Sequence, residues 1–389
     1  MELAITGVGV VSGLGVGREA FVHALADVAA ARAKAFRGAS DLLEAFPDAN
    51  TAEVWDWDPK AYLGDKGHRN NDQLTKYLIT AAKLALIDAG IKDDEGVFLR
   101  YSGERVGISS ATAYGSLDAI GELNRVAELE DPRYINPQRF PNTVINAAAG
   151  YVSIWEGLMA PNTTIVDGNC GGLDAVLSAH THLAFGRADA MLVGGGEIVC
   201  ESLYVALAKL GVLADMRNDG LGISVGEGAA FLLVEDEARA WERSASVLGV
   251  IRGYGTAFDA PQSEAVLVHA SSDAVQAAIQ MALDEADIDA EEVDVVASAR
   301  CGLPSIDDAE LHGIRAVFGH DVCVVAPKQL TGENFGAAGA FGMIMALAWM
   351  QGHKPEPRVA GPKPGEVATV VVVSVGYYGN VSAVVVTKE

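Results

Sequence analysis

The chain has 389 residues, half of them hydrophobic, enough for a large buried core and for two or three domains or one fused α/β body. Its 28 basic and 52 acidic residues give a formal charge of −24, which argues against nucleic acid or an anionic membrane as a partner. Four scattered cysteines with no CxxC pair, and eight histidines with no HExxH, exclude a zinc motif and a disulfide framework; no metal or cofactor is expected, and a reducing cytoplasm fits.

Strand and helix signals alternate along the chain. Residues 3–11 form a β-branched run without a basic leader before it, so no secretory signal is expected. Residues 17–25 read as a helix. In 72–89, Leu74, Leu78, Ala81, Ala82, Leu84 and Leu86 make a helical face. A short strand at 106–110 precedes helices at 117–129 and 142–159. Then come a strand at 163–166, a helix at 171–185, and strands at 190–193 and 229–234. From about Ser246 the order begins again: strand 247–255, helix 273–286, strand 293–297, helix 307–318, strand 322–326, helix 336–350, and closing strands 367–375 and 382–387. This is a β/α pattern given twice, with antiparallel strands ending each half. The halves divide at 1–245 and 246–389. The apolar run 335–350 falls short of the ~20 residues a membrane span needs and reads as a buried helix.

Two glycine-rich runs carry no ligand signature. Gly7-Val8-Gly9-Val10-Val11-Ser12-Gly13 has one residue too many for a dinucleotide loop, and no convincing acidic residue follows about 20 positions on. Gly194-Gly195-Gly196 lacks the Lys-Ser/Thr of a phosphate loop, so close backbone packing is the better reason for it.

The stretch Thr163-Thr164-Ile165-Val166-Asp167-Gly168-Asn169-Cys170-Gly171-Gly172-Leu173-Asp174-Ala175 reads as a strand entering a helix through a tight turn. Enzymes often place a nucleophile on such a turn, where the helix N-terminus favours negative charge. An Asn amide cannot attack a thioester; a Cys thiolate can. Which of Asn169 and Cys170 holds the key position decides whether this chain catalyses.

These features together resemble the thiolase fold and, in detail, the β-ketoacyl synthases, over nearly the whole chain. The segments that carry the likeness are Ile5 to Ser12, Gly186 to Glu197, Asp219-Gly220 with Gly226-Glu227-Gly228-Ala229, Lys328-Gln329-Leu330-Thr331-Gly332, and Gly336-Ala337-Ala338-Gly339-Ala340. The resemblance implies a layered αβαβα body of two duplicated halves. It also implies three catalytic positions, one cysteine and two histidines. Counting back 26 residues from Gly195 gives Asn169 for the nucleophile, and Leu173 four residues later agrees. Anchoring on Pro304, Asp307 and Glu310 gives Ala299 for the first histidine, and Thr331-Gly332 gives Glu333 for the second. All three are changed, so the chain alone is expected to be inactive. Lys328 fills the family's lysine position, and Gly376-Tyr377-Tyr378-Gly379 its glycine-rich turn. Cys170, Lys328 and Tyr377 are expected to be structural.

Losing all three groups while keeping Gly171-Gly172-Leu173-Asp174-Ala175 is similar to the chain-length factors, the non-catalytic partners of ketosynthases in type II polyketide synthases. Asn169 departs from the Gln usual there. The resemblance implies a heterodimer with a catalytic ketosynthase, which would take the acyl carrier protein. Like charge should keep an acidic carrier off this chain. It further implies that Leu117, Ile120, Gly121 and Asn124, spaced to share one helix face, close the acyl tunnel at the interface with Asp118 beside them. Alternatives are a malonyl-carrier decarboxylase, which should keep both histidines, a Cys170-dependent synthase, for which no base is apparent, and a plain scaffold. His180, His182, His312 and His320 read as packing or surface residues.

Overall fold

The computed structural model describes residues 1–38, 43, 45–46, 48–214, 220–263 and 265–389. Asp219 of the glycine-rich motif lies outside them. Among the described residues twelve strands are formed: β1 (Leu3–Ser12), β2 (Gly15–Val16), β3 (Val106–Ala111), β4 (Asn162–Ile165), β5 (Ala190–Glu197), β6 (Gly228–Asp236), β7 (Gly249–Phe258), β8 (Val295–Ala297), β9 (Cys323–Val325), β10 (Arg358–Ala360), β11 (Thr369–Val375) and β12 (Asn380–Thr387).

Strand pairing makes the duplication explicit. The first half pairs in the order β1-β6-β5-β3-β4 and the second in the order β7-β12-β11-β8-β9. In each, the first two pairings are antiparallel and the last two parallel. A short antiparallel contact joins the sheets, Leu3 with Ile251, Ala4 with Val250 and Ile5 with Gly249.

Alternation along the strands sorts side chains into layers. On β6, Ala230, Leu232 and Val234 face the central layer, while Ala229, Phe231 and Leu233 face outward under the helix Gln73–Asp88. On β11, Val370 and Val372 face inward, and Val371, Val373 and Val375 meet the helices Ser272–Ala286 and Pro304–Phe318. The central layer holds the helices Gly171–Ala184 and Ala338–Met350. The second is buried from Gly339 to Met350, as an all-apolar helix between two sheets must be. This is the layered αβαβα body of the thiolase fold. Among the described residues no helix is long and apolar enough to cross a membrane.

The glycine runs serve packing. A Cβ on Gly9 would sit 1.8 Å from the Ala81 carbonyl oxygen, and one on Gly7 2.4 Å from that of Ala85, so β1 takes the helix Gln73–Asp88 directly on its backbone. A Cβ on Gly195 would sit 2.1 Å from the Ala111 oxygen on β3. Where the central helices meet, a Cβ on Gly172 would come 2.7 Å from the Gly336 oxygen.

Some boundaries differ from the sequence reading. The helix expected over 142–159 spans only Ala147–Glu156; Pro137 and Pro141 hold the preceding residues in 3-10 turns, and Gly157, at φ 64°, ends it in a left-handed cap. The helix expected over 117–129 is α-helical to Arg125 and widens into a π-turn at Val126–Glu130. Helices Val28–Ala35, Pro59–Leu63 and Glu201–Leu210 were not read from the sequence.

Candidate functional site

The site forms where the turns preceding the two central helices pack together, Gly168–Cys170 against Phe335–Ala337. Gly168 adopts φ 53°, which lets β4 turn sharply into the first helix. Asn169 is buried and its Nδ2 faces Glu333 Oε2 at 3.4 Å. Cys170 turns the other way. Its Sγ lies 3.4 Å from the Ser374 oxygen and 3.5 Å from that of Asn380. Burial, then the nearby charges of Asp174 and Asp167, push its thiol far above the usual cysteine value. Such a thiol is a buried hydrophobe rather than a nucleophile.

Glu333 organises the site. It is 1% exposed. Its Oε2 accepts from Lys328 Nζ at 2.8 Å and Tyr377 Oη at 2.6 Å, and its Oε1 from the Phe335 N–H at 3.0 Å. Its backbone is clamped too: its N–H donates to Ser224 O at 2.8 Å and its carbonyl accepts from Gly226 N at 3.0 Å. Burial opposes the Lys328 ammonium, but the Glu333 charge outweighs it and holds the lysine above its ordinary value. Burial, and then Glu333, push the Tyr377 phenol well up. Phe335 completes the cradle at φ 41°, a left-handed conformation costing a bulky residue roughly 1–3 kcal/mol. Its ring sits edge-on to Tyr114 and Tyr377, at 5.0 and 6.4 Å.

Ala299 lies on a loop held by two buried acids. Glu310 accepts from Ser298 Oγ at 2.7 Å and from the Ala299 N–H at 2.6 Å; Asp307 accepts from the N–H groups of Cys301 and Gly302 at 2.9 and 3.1 Å. Ala299 is buried and offers only a methyl group. Cys301, two residues on, was not singled out in the sequence, and nothing there marks it. Burial lifts its thiol to about 12, although Lys328 pulls the other way. A cavity of about 250 Å³ lies beside this cluster, lined by Lys328, Glu333, Cys301, Arg300, Gln329 and Arg32 among others. Among the described residues no histidine lines it; the backbone N–H of His269 donates to Tyr377 O at 2.8 Å on the adjoining turn. Among the described residues no group of His, Cys, Asp or Glu could hold a metal ion.

The structure divides the five residues of the helix Leu117–Arg125. Leu117 packs into the outer core and Gly121 lies against Ser202 of the helix Glu201–Leu210, where a Cβ would meet the hydroxyl at 2.7 Å. Ile120 is half-buried and Asn124 exposed. The helix Glu201–Leu210, absent from the sequence reading, packs on the Gly121 side. Asp118 is partly buried with Oδ1 unpartnered, and burial, then Asp72, lift its carboxyl to about 6.

Two family models cover the chain, β-ketoacyl synthase N-terminal domain over residues 1–240 and β-ketoacyl synthase C-terminal domain over 248–359. The chain belongs to the β-ketoacyl synthase family. Its relatives fall into two kinds. It is 28% identical to 3-oxoacyl-[acyl-carrier-protein] synthase 2 of Coxiella burnetii, over 94% of this chain and 89% of that one. It is equally 28% identical to the tetracenomycin polyketide synthase ketoacyl synthase beta subunit of Streptomyces glaucescens, over 100% and 98%. Among solved structures, the ishigamide ketosynthase/chain length factor superposes with TM-score 0.85 at 23% identity, covering 100% of this chain and 99% of that one. The ketosynthase ApeO in complex with its chain length factor ApeC, from Xenorhabdus doucetiae, gives 0.80 at 19%, covering 100% and 98%.

Two outcomes follow from this geometry. Lys328→Met leaves a buried carboxylate without its counter-charge and is expected to cost about 3–5 kcal/mol, read by urea denaturation at pH 7.5. The second outcome concerns Glu197, Glu227 and Glu310, which burial lifts to about 8, 7 and 7 against the opposing pull of their hydrogen-bond donors. Folded values above the unfolded one of 4.5 mean that the native state binds the extra protons. Their stabilisation is full below that value and is lost as pH rises through 7 to 8. The urea midpoint should fall between pH 5.5 and 8.5, and fall less in Glu197→Gln; an equal fall in both proteins would contradict the assignment.

Proposed function

We propose that this chain is the non-catalytic member of a ketosynthase pair, a chain-length-factor subunit of polyketide biosynthesis. One observation carries the reading: Glu333 is a buried carboxylate bound to Lys328 and Tyr377 and facing Asn169. In this reading it takes the place of an imidazole that a ketosynthase needs. Claisen condensation requires a thiolate to carry the acyl chain and donors to stabilise the enolate left by decarboxylation. A carboxylate repels that enolate, an amide cannot carry the acyl group, and the methyl of Ala299 donates nothing. The Cys170 alternative is disfavoured by a thiol that burial keeps protonated and that lies against two carbonyls. The decarboxylase alternative lacks both imidazoles.

Pairing has support of its own. β4 ends the first half's strand order, and its outer edge pairs with no other strand among the described residues. Exposed edges of this kind invite a second chain. Apolar side chains surround it, with Ile154 78% and Met159 67% exposed and Val166 also open to solvent. In this reading a catalytic ketosynthase covers the face and takes the acidic carrier protein, and this subunit supplies the far wall of an acyl tunnel at the interface. In this reading Ile120 and Asn124 of the helix Leu117–Arg125, with Asp118 beside them, line it.

The test is product length in the pair reconstituted with its ketosynthase. Ile120→Trp is preferred to any enlargement at Gly121, which would press on Ser202. The expected products are shorter by one or more extension units at similar total yield. Unchanged lengths at normal yield would reduce the subunit to a plain scaffold, and condensation by this chain alone would overturn the reading.

A further inference from the structure

The donors around Glu333 come from four separate segments. They are an ammonium (Lys328), a phenol (Tyr377), a backbone N–H (Phe335) and an amide (Asn169), and all point at one carboxylate. A protein that recognises a free carboxylic acid presents such a set: one buried cation and several fixed neutral donors around two oxygens. The Phe335 N–H belongs to the backbone turn Phe335–Ala337, at φ 41°, and does not depend on Glu333's side chain for its place.

The cradle also has an approach. The cavity of about 250 Å³ reaches Lys328 and Glu333 from the side of Arg32 and Arg300. It is many times the space one water needs, room for a short-chain acid. Arg300 is paired with Asp307 at 3.3 Å, and Arg32, which is exposed, adds positive charge at the mouth.

We propose that these donors form a binding site for a small carboxylate, and that Glu333 is its tethered occupant, shutting out free carboxylic acids. The side chain does more than fail to catalyse: it fills the space that a short acyl or dicarboxylate guest would take. The inference rests on the cradle and the cavity alone, and holds whether or not the chain pairs with a ketosynthase.

The experiment uses full-length Glu333→Ala with sodium acetate as the probe and sodium chloride of equal ionic strength as the reference. In chloride the variant should melt below the native protein, because Lys328 has lost its counter-charge. Acetate should raise its melting temperature in a saturable way, with one-to-one binding by calorimetry. Native protein and Glu333→Gln, whose amide still fills the space, should show no acetate-specific rise. Adding Lys328→Met to Glu333→Ala should abolish the response. A folded Glu333→Ala that melts alike in acetate and chloride, or an acetate rise equal in native protein, would overturn the proposal. If Glu333→Ala does not fold in chloride, refolding in acetate supplies the same test: recovery supports the site, and failure in both salts overturns it.

Discussion

A carboxylate placed in a protein interior must be matched or neutralised, and the site is arranged around that demand. Glu333 is buried at the meeting point of the two halves, so Lys328 must stay charged beside it and Tyr377 must point its hydroxyl inward. The same ion pair accounts for a lysine buried in the interior. Glu333 stands five residues ahead of the helix Ala338–Met350 and accepts the Phe335 N–H from the turn that leads into it. In a working ketosynthase the positive end of a central helix favours a thiolate; here the positive end of the other central helix favours a carboxylate.

The duplicated fold delivers these groups to one place. Equivalent helices in the two halves run side by side through the central layer, and the turn entering each supplies part of the site, Asn169 from one and Phe335 from the other. Glycine permits the approach. Gly172 and Gly336 touch backbone to backbone, and Gly332 adopts φ 72° while packed on Gly226, which brings the Glu333 backbone into register with Ser224 and Gly226. Behind this, Glu310 and Asp307 hold the Ala299 loop in place.

Much of this was legible in the chain. Period-two and helical patterns placed the strands and most helices, because each core element shows one apolar face to a fixed layer. Spacing from Gly195 and Leu173 put Asn169, not Cys170, at the key turn, and the side chains do point to opposite sides of it. Other features were not legible. The helix Glu201–Leu210 follows β5 without a capping side chain, so its start carries no local signal, and it packs on Gly121. Cys301 comes beside Lys328 only through the loop that Asp307 holds, a relation between distant turns that no local pattern encodes.

The central claim is that no group on this chain can hold an acyl intermediate. It is tested most directly by intact-mass measurement of the two subunits after the purified pair, and then this chain alone, meet acyl- and malonyl-loaded carrier protein. The account predicts acyl adducts on the ketosynthase partner only, and an unmodified mass for this chain in both mixtures. An acyl adduct mapped to Cys170, carried forward to a lengthened thioester by this chain alone, would contradict it.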